Sequence, residues 1–178
     1  MDPSLKDLTD QLDDATSLLL ETAGRLTDDQ VRGPSLLAGW SRGHLLTHIA
    51  RSGDVLRGLL DGARTCVPGS GYASSAARDA DIEAGSGRGA AELVTDVRDS
   101  AAAFRAAVLA MPGEAWATKL TLGGKTVPAS HLLIVRLVEI ELHHVDLDAG
   151  YQPSDWPTTF NQLELTEPQR GQRADRLV

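Results

Sequence analysis

Apolar residues recur along the chain at steps of three, four and seven in four separate stretches, and each stretch predicts a helix with one face turned to a core. Leu5, Leu8, Leu12, Ala15, Leu19 and Leu26 make the first, with Asp7, Asp10, Asp13, Asp14 and Glu21 mostly between them. Thr27-Asp28-Asp29-Gln30 has the form of a capping box, but Gly33 and Pro34 follow too soon for more than one turn, so residues 33–40 read as a turn-rich connection. A second helix starts at Ser41 and carries Leu45, Leu46, Ile49, Val55, Leu56, Leu59 and Leu60 as far as Gly62. Gly53 is its weak point, at about 1 kcal/mol relative to alanine. Ala91, Val94, Val97, Ala101, Phe104, Val108 and Met111 give the third, which Pro112-Gly113 stops. From Pro128 to about Asp148, Leu132, Leu133, Val135, Leu137, Val138, Ile140 and Leu142 make a fourth helix, apolar on more than one side and therefore deep in a bundle.

Between the second and third helices, residues 63–90 break the pattern. Pro68, Gly69, Gly71, Gly85, Gly87 and Gly89 surround a polar stretch, Ala76 to Glu83, with room for a helical turn. A loop of this length is often functional. Leu120 and Leu122 alternate with polar residues, Gly123-Gly124 can turn and Val127 follows, which allows a small hairpin near 118–127. The fold expected is all-α: a four-helix bundle over residues 1–150, its long 63–90 crossover permitting a non-alternating helix order. Residues 151–178 form a short C-terminal extension. In it Asp155-Trp156-Pro157 looks like a helix start with proline in the first turn, while the last dozen residues, to Val178, read as a polar tail.

At 178 residues, 42% apolar and 24% charged, the chain has the balance of one globular domain. Its formal charge of −8, with the basic residues scattered, leaves no footprint for a nucleic-acid backbone. No window approaches the run of about 20 apolar residues that spans a bilayer. Met1 to Asp14 is acidic where an export signal needs a basic start, so a soluble cytoplasmic protein is expected. With Cys66 the single cysteine, a disulfide framework or a Cys-rich zinc site is excluded, and a metal would need His and carboxylate ligands. Cys66 itself has only Arg64 nearby in sequence and reads as incidental.

Four of the five histidines fall in two pairs, His44/His48 on the second helix and His143/His144 on the fourth. Glu139 and His143 are four apart, offset by only about 40° around a helix, so they point the same way from a helix expected to be buried. A buried carboxylate and imidazole are costly unless paired or metal-bound. One histidine of the second helix, His48, would complete two imidazoles and one carboxylate, the ligand set of catalytic zinc with an open fourth position. The same i,i+4 pair is also common on solvated helix faces. His44 and His144 read as supporting or plain surface residues. Asp146, three past His143, is placed to orient an imidazole N–H or is simply an exposed acid near a helix end. Arg136, three before Glu139, pairs with that carboxylate or reaches solvent along its stem.

Three ordered blocks carry a resemblance: Gly39-Trp40-Ser41-Arg42-Gly43-His44-Leu45-Leu46-Thr47-His48-Ile49-Ala50-Arg51, then Ala77-Arg78-Asp79-Ala80-Asp81-Ile82-Glu83-Ala84-Gly85, then Glu139-Ile140-Glu141-Leu142-His143-His144-Val145-Asp146-Leu147. Together they resemble the mycothiol-dependent maleylpyruvate isomerase family, over a span from the first helix to about Phe160. The resemblance implies a DinB-like, metal-binding four-helix bundle. It also implies zinc held by His48, Glu139 and His143, and makes Arg78 the residue that grips a substrate carboxylate. The family continues into a second, sterol-carrier-like α/β domain, in whose place this sequence has its short polar remainder.

A zinc ion with three protein ligands can take a small thiol in its open position and stabilise the thiolate. The resemblance makes that thiol mycothiol and the reaction a cis-trans isomerisation of maleylpyruvate to fumarylpyruvate. A thiol S-transferase conjugating mycothiol to an electrophile is the alternative that the missing domain favours. A non-catalytic metal- or partner-binding bundle is a third. The partners expected are a small thiol and a small electrophilic or dicarboxylate substrate, and a homodimer is compatible with this reading.

Overall fold

The computed structural model describes residues 4–67, 69 and 71–177; Met1, Pro68 and Val178, named above, lie outside the described residues. Helix α1 (Leu5–Ala23) opens where the Ser4 hydroxyl accepts the Asp7 N–H and the Asp7 carboxylate accepts the Ser4 N–H. Helix α2 (Asp28–Arg32) is the single turn foreseen, with Thr27 and Gln30 exchanging both capping bonds. Helix α3 (Arg42–Thr65) starts from Ser41 and ends at Cys66, in the left-handed conformation at φ 58°.

The 63–90 crossover departs from its reading as a loop with one helical turn, because α4 (Ser75–Ser86) is a helix of 12 residues capped by the Ser74 hydroxyl. Only its Ile82 is buried, so there is no apolar stripe for a periodicity argument to find. Its seat on α3 depends on small residues instead. A Cβ at Gly43 would collide with the Ser86 carbonyl, and one at Gly85 would press on Thr47.

Helix α5 (Ala90–Leu109) has its first N–H held by Asp28 of α2 at 2.8 Å, a negative group at the positive end of the helix. Strands β1 (Lys119–Leu122) and β2 (Lys125–Pro128) form the hairpin the alternation allowed. Leu122 pairs with Lys125, and Gly123 and Gly124 both take the positive φ a tight two-residue turn requires.

Helix α6 (His131–Asp146) is buried on several sides, as its sequence indicated. Helix α1 packs between α5 and α6, and α3 packs between the same two from the other side. The first two long helices thus lie on a diagonal, a non-alternating order. Leu19, Leu45, Leu46, Ile49, Leu60, Leu93, Leu132, Leu133 and Ile140 fill the centre with no exposure.

Two features fix α3 against α6. At one end Arg42 donates from Nε to the Leu147 carbonyl at 2.5 Å and from Nη2 to the Asp148 carbonyl at 2.9 Å, which satisfies the open end of α6. In the middle the side chain of Arg136 crosses beside Gly53. A Cβ there would collide with the Ser100 hydroxyl of α5 and stand 3.0 Å from Arg136 Nη2. The glycine that costs helix propensity makes the room for a buried arginine.

After Pro157 comes the short helix α7 (Thr158–Asn161), where a helix start was expected. Tyr151, Trp156, Phe160 and Leu163 are buried in the same core as the bundle. The last residues differ from a free tail. Helix α8 (Gln169–Ala174) docks through Arg173, which donates to the carbonyls of Phe160 at 2.8 Å and Leu163 at 3.1 Å, and Arg176 reaches Asp146. These attachments are polar, so no apolar pattern announces them. Among the described residues no helix is long and apolar enough to cross a membrane.

Candidate metal centre

Helices α3 and α6 bring His48, Glu139 and His143 together. His48 Nε2 stands 3.9 Å from Glu139 Oε1, and the rings of His48 and His143 meet edge-on with centroids 4.9 Å apart. Burial above all, with the nearby His143 and the guanidinium charges of Arg78 and Arg136 added, pushes the His48 pKa down to about 2. The imidazole is therefore neutral at any ordinary pH and keeps a lone pair to donate.

Each donor has a neighbour that orients it. The Ser52 hydroxyl donates to Glu139 Oε2, and Arg136 Nη1 lies 3.8 Å from the same oxygen, which leaves Oε1 facing His48. His143 Nδ1 is 2.8 Å from Asp146 Oδ2, so its Nε2 has no competing bond to that carboxylate. Burial would raise the Asp146 carboxyl, but hydrogen bonds from His143 and Arg176 outweigh it and hold the group below its ordinary value. Above the cluster, Arg78 of α4 brings Nη2 to 3.3 Å from His48 Nδ1 while its guanidinium lies 5.5 Å over the Trp40 ring. Trp40 also packs edge-on against His48, centroids 5.5 Å apart.

Of the residues singled out in the sequence, His48, Glu139, His143, Asp146, Arg136 and Arg78 meet at this place. Arg136 is 1% exposed, so it pairs inward with Glu139 and donates to the Ile49 carbonyl at 2.8 Å; it does not reach solvent. Asp146 is likewise buried and not an exposed acid. His44 stays one turn away, bonded to Ser41 Oγ at 2.7 Å and to Glu83 Oε2 of α4 at 3.0 Å, where it ties α4 to α3.

The supporting role considered for His144 is corrected. Its position next to His143 turns it about 100° around the helix, where it bonds Thr22 Oγ1 at 2.8 Å and stacks on Tyr151 at 3.7 Å. Cys66 is exposed past the end of α3, about 27 Å along the helix axis from His48. The sequence reading missed Ser52 and Arg176. Ser52 lies four residues after His48 and so on its face, a signal that was available; Arg176 had none.

Among the described residues no group of three or more His, Cys, Asp or Glu is drawn in closely enough to hold a metal as it stands. Ser52, Arg136 and Arg78 occupy part of the donors' hydrogen-bonding capacity. A cleft of about 890 Å³ between the starts of α1 and α6, lined by Leu8, Trp116, Lys119, His131 and Leu163 among others, contains none of the cluster residues.

The profile of the mycothiol maleylpyruvate isomerase N-terminal domain matches residues 12–148. A crystal structure of the mycothiol-dependent maleylpyruvate isomerase is similar at 29% identity and a TM-score of 0.85, over 89% of this chain and 66% of that one. A second, of a histidine-to-alanine mutant of that isomerase, is similar at 28% identity with the same score and coverage. The chain therefore spans just under two thirds of the length of these structures. No curated protein matches it.

Proposed function

The chain belongs to the family of the mycothiol maleylpyruvate isomerase N-terminal domain, and on that premise we propose that it is a mycothiol-dependent isomerase of the maleylpyruvate type, with zinc held by His48, Glu139 and His143. The observation that carries the proposal is the meeting of those three donors, from two helices, beneath Arg78. Two donors bonded to one tetrahedral zinc at about 2.0–2.1 Å stand roughly 3.4 Å apart. The 3.9 Å between His48 Nε2 and Glu139 Oε1 is within a small side-chain rotation of that. The donor set of two neutral imidazoles and one carboxylate suits zinc with a position left open.

When bound, zinc and mycothiol together would supply a thiolate at neutral pH, a nucleophile able to add reversibly to the cis double bond of maleylpyruvate and so to permit its conversion to the trans isomer, fumarylpyruvate. The chain has no cysteine of its own at this place. Ser52 and Arg136 hold Glu139 Oε2 and leave Oε1 to give. Asp146 takes the Nδ1 proton of His143 in a hydrogen bond, which leaves Nε2 with the lone pair. A neutral His48 has one lone-pair nitrogen. With Nε2 committed to a metal, Nδ1 carries the proton and no longer accepts from Arg78. Arg78 is then released to pair with a substrate carboxylate and to spread the negative charge that develops during addition.

Mass balance of thiol against product tests the proposal. Mycothiol and maleylpyruvate with the zinc-loaded protein should give the trans isomer with mycothiol recovered unchanged. Arg78→Ala should keep its zinc and lower kcat/KM about ten- to hundredfold. One thioether per thiol consumed, with no trans isomer, would make the protein a thiol S-transferase. Neither product would leave a bundle that binds without turnover.

A further inference from the structure

The carboxylate of Asp146 is held from both sides. Oδ1 accepts from Arg176 Nε at 2.9 Å and Oδ2 from Arg176 Nη2 at 2.5 Å, while Oδ2 also faces His143 Nδ1 at 2.8 Å. A carboxylate matched in a two-bond fork to a planar guanidinium cannot swing, and it has only acceptors to offer. The proton between it and His143 therefore sits on Nδ1, and the free lone pair of that imidazole is on Nε2.

Arg176 is itself fixed. Its Nη1 donates to the Gln172 carbonyl at 2.7 Å, its side chain is 15% exposed, and α8 is separately anchored by Arg173. It lies beyond residue 148, where the match to the family ends, so membership assigns it nothing.

We infer that Arg176 is a positioning residue for His143: it locks the carboxylate of Asp146, and through it the tautomer and ring angle of the imidazole. The segment after the bundle thus sets how well His143 serves as a ligand. This rests on the reading of His143 as a zinc ligand given above.

Nitrogen NMR of the imidazoles in metal-free protein reads the tautomer, and competition with a zinc chelator reads affinity. Arg176→Met keeps the stem and removes the fork. It is expected to mix the two tautomers of His143 and to weaken zinc binding about tenfold, as loss of an outer hydrogen-bond partner does. Arg176→Lys, which can return one bond to Asp146, should recover part of both. Arg170→Met removes only the exposed pair with Glu167, touches neither Asp146 nor the Arg173 anchor, and should leave both readings at parent values. A pure Nδ1–H His143 in the Arg176→Met protein overturns the inference, and so does an equal change in Arg170→Met. A parent protein that binds no zinc, with the tautomer still shifting in Arg176→Met, would remove the zinc reading and leave the positioning role standing.

Discussion

His143 and His144 are consecutive on α6 and Glu139 and Glu141 are two apart, yet each pair serves a different place. On the face toward α1, His144 and Glu141 are nearly sealed, at 1% and 2% exposure. Their partners belong to the packing of the fold: His144 bonds Thr22, the Glu141 carboxylate accepts from the Tyr151 hydroxyl at 2.7 Å, and the Glu141 carbonyl accepts from the Trp156 indole at 3.3 Å. On the face toward α3, the side chains of Glu139 and His143 are 24% and 16% exposed, and each keeps one donor atom unclaimed by its orienting neighbour. Residue type does not separate a structural cluster from a chemical one. What separates them here is burial and company: Glu139 and His143 are partly open and meet His48, whereas Glu141 and His144 are sealed against α1 and Tyr151.

Exchanging the outcome between neighbours should have the largest effect. His143→Ala is expected to remove the bound zinc and with it more than about a hundredfold of the activity, with little change in thermal midpoint. His144→Ala should keep its zinc and cost about 2–3 kcal/mol of stability, through the lost stacking on Tyr151 and the lost bond to the Thr22 hydroxyl. Metal analysis beside denaturant unfolding of both variants checks this; equal zinc loss in the two would erase the distinction between the faces.

The sealed face should also have its own pH signature. Burial first, then the charge of Arg25, pushes the His144 pKa down to about 4 from 6.5. The unfolded chain takes up the proton first, so stability is unaffected above about pH 6.5, falls as the pH is lowered through the window, and stops falling on this account near 4. The loss is on the order of 3 kcal/mol. His144→Gln should lack that part of the pH dependence when unfolding midpoints of variant and parent are compared across the window.

Cys66 marks the smallest expected difference. Exposed and remote from both faces, it should be replaceable by serine with no change in zinc content, activity or stability beyond about 0.5 kcal/mol. A cobalt-substituted protein showing a sulfur-to-metal band without added thiol, lost in Cys66→Ser, would contradict the geometry.

The four long helices and the Glu139/His143 pair were legible because burial of one face imposes a period on the sequence, and that same period carries side chains to a common direction. His48 was legible by the same logic. Helix α4 was hidden because one buried residue, Ile82, makes no period. The separation of His143 from His144 needed to know which neighbour lies on which face, and that is a property of helix order, not of spacing. Ser52 was within reach as the residue one turn after His48. Arg176 was not, since a single long-range ion pair leaves no trace in local composition.

Gly53, Ser100 and Arg136 belong to α3, α5 and α6 and meet where a methyl group on Gly53 would not fit. Gly53 cannot gain a side chain unless the Ser100 hydroxyl moves or goes, which ties the two positions together. Among relatives at 29% identity, one with a side chain at the position of Gly53 should carry a smaller residue at the position of Ser100. A relative without the Ser100 hydroxyl, the nearer obstacle, would have more room there for the alanine that helices prefer. A position that never touches the cluster thereby limits what can stand beside it.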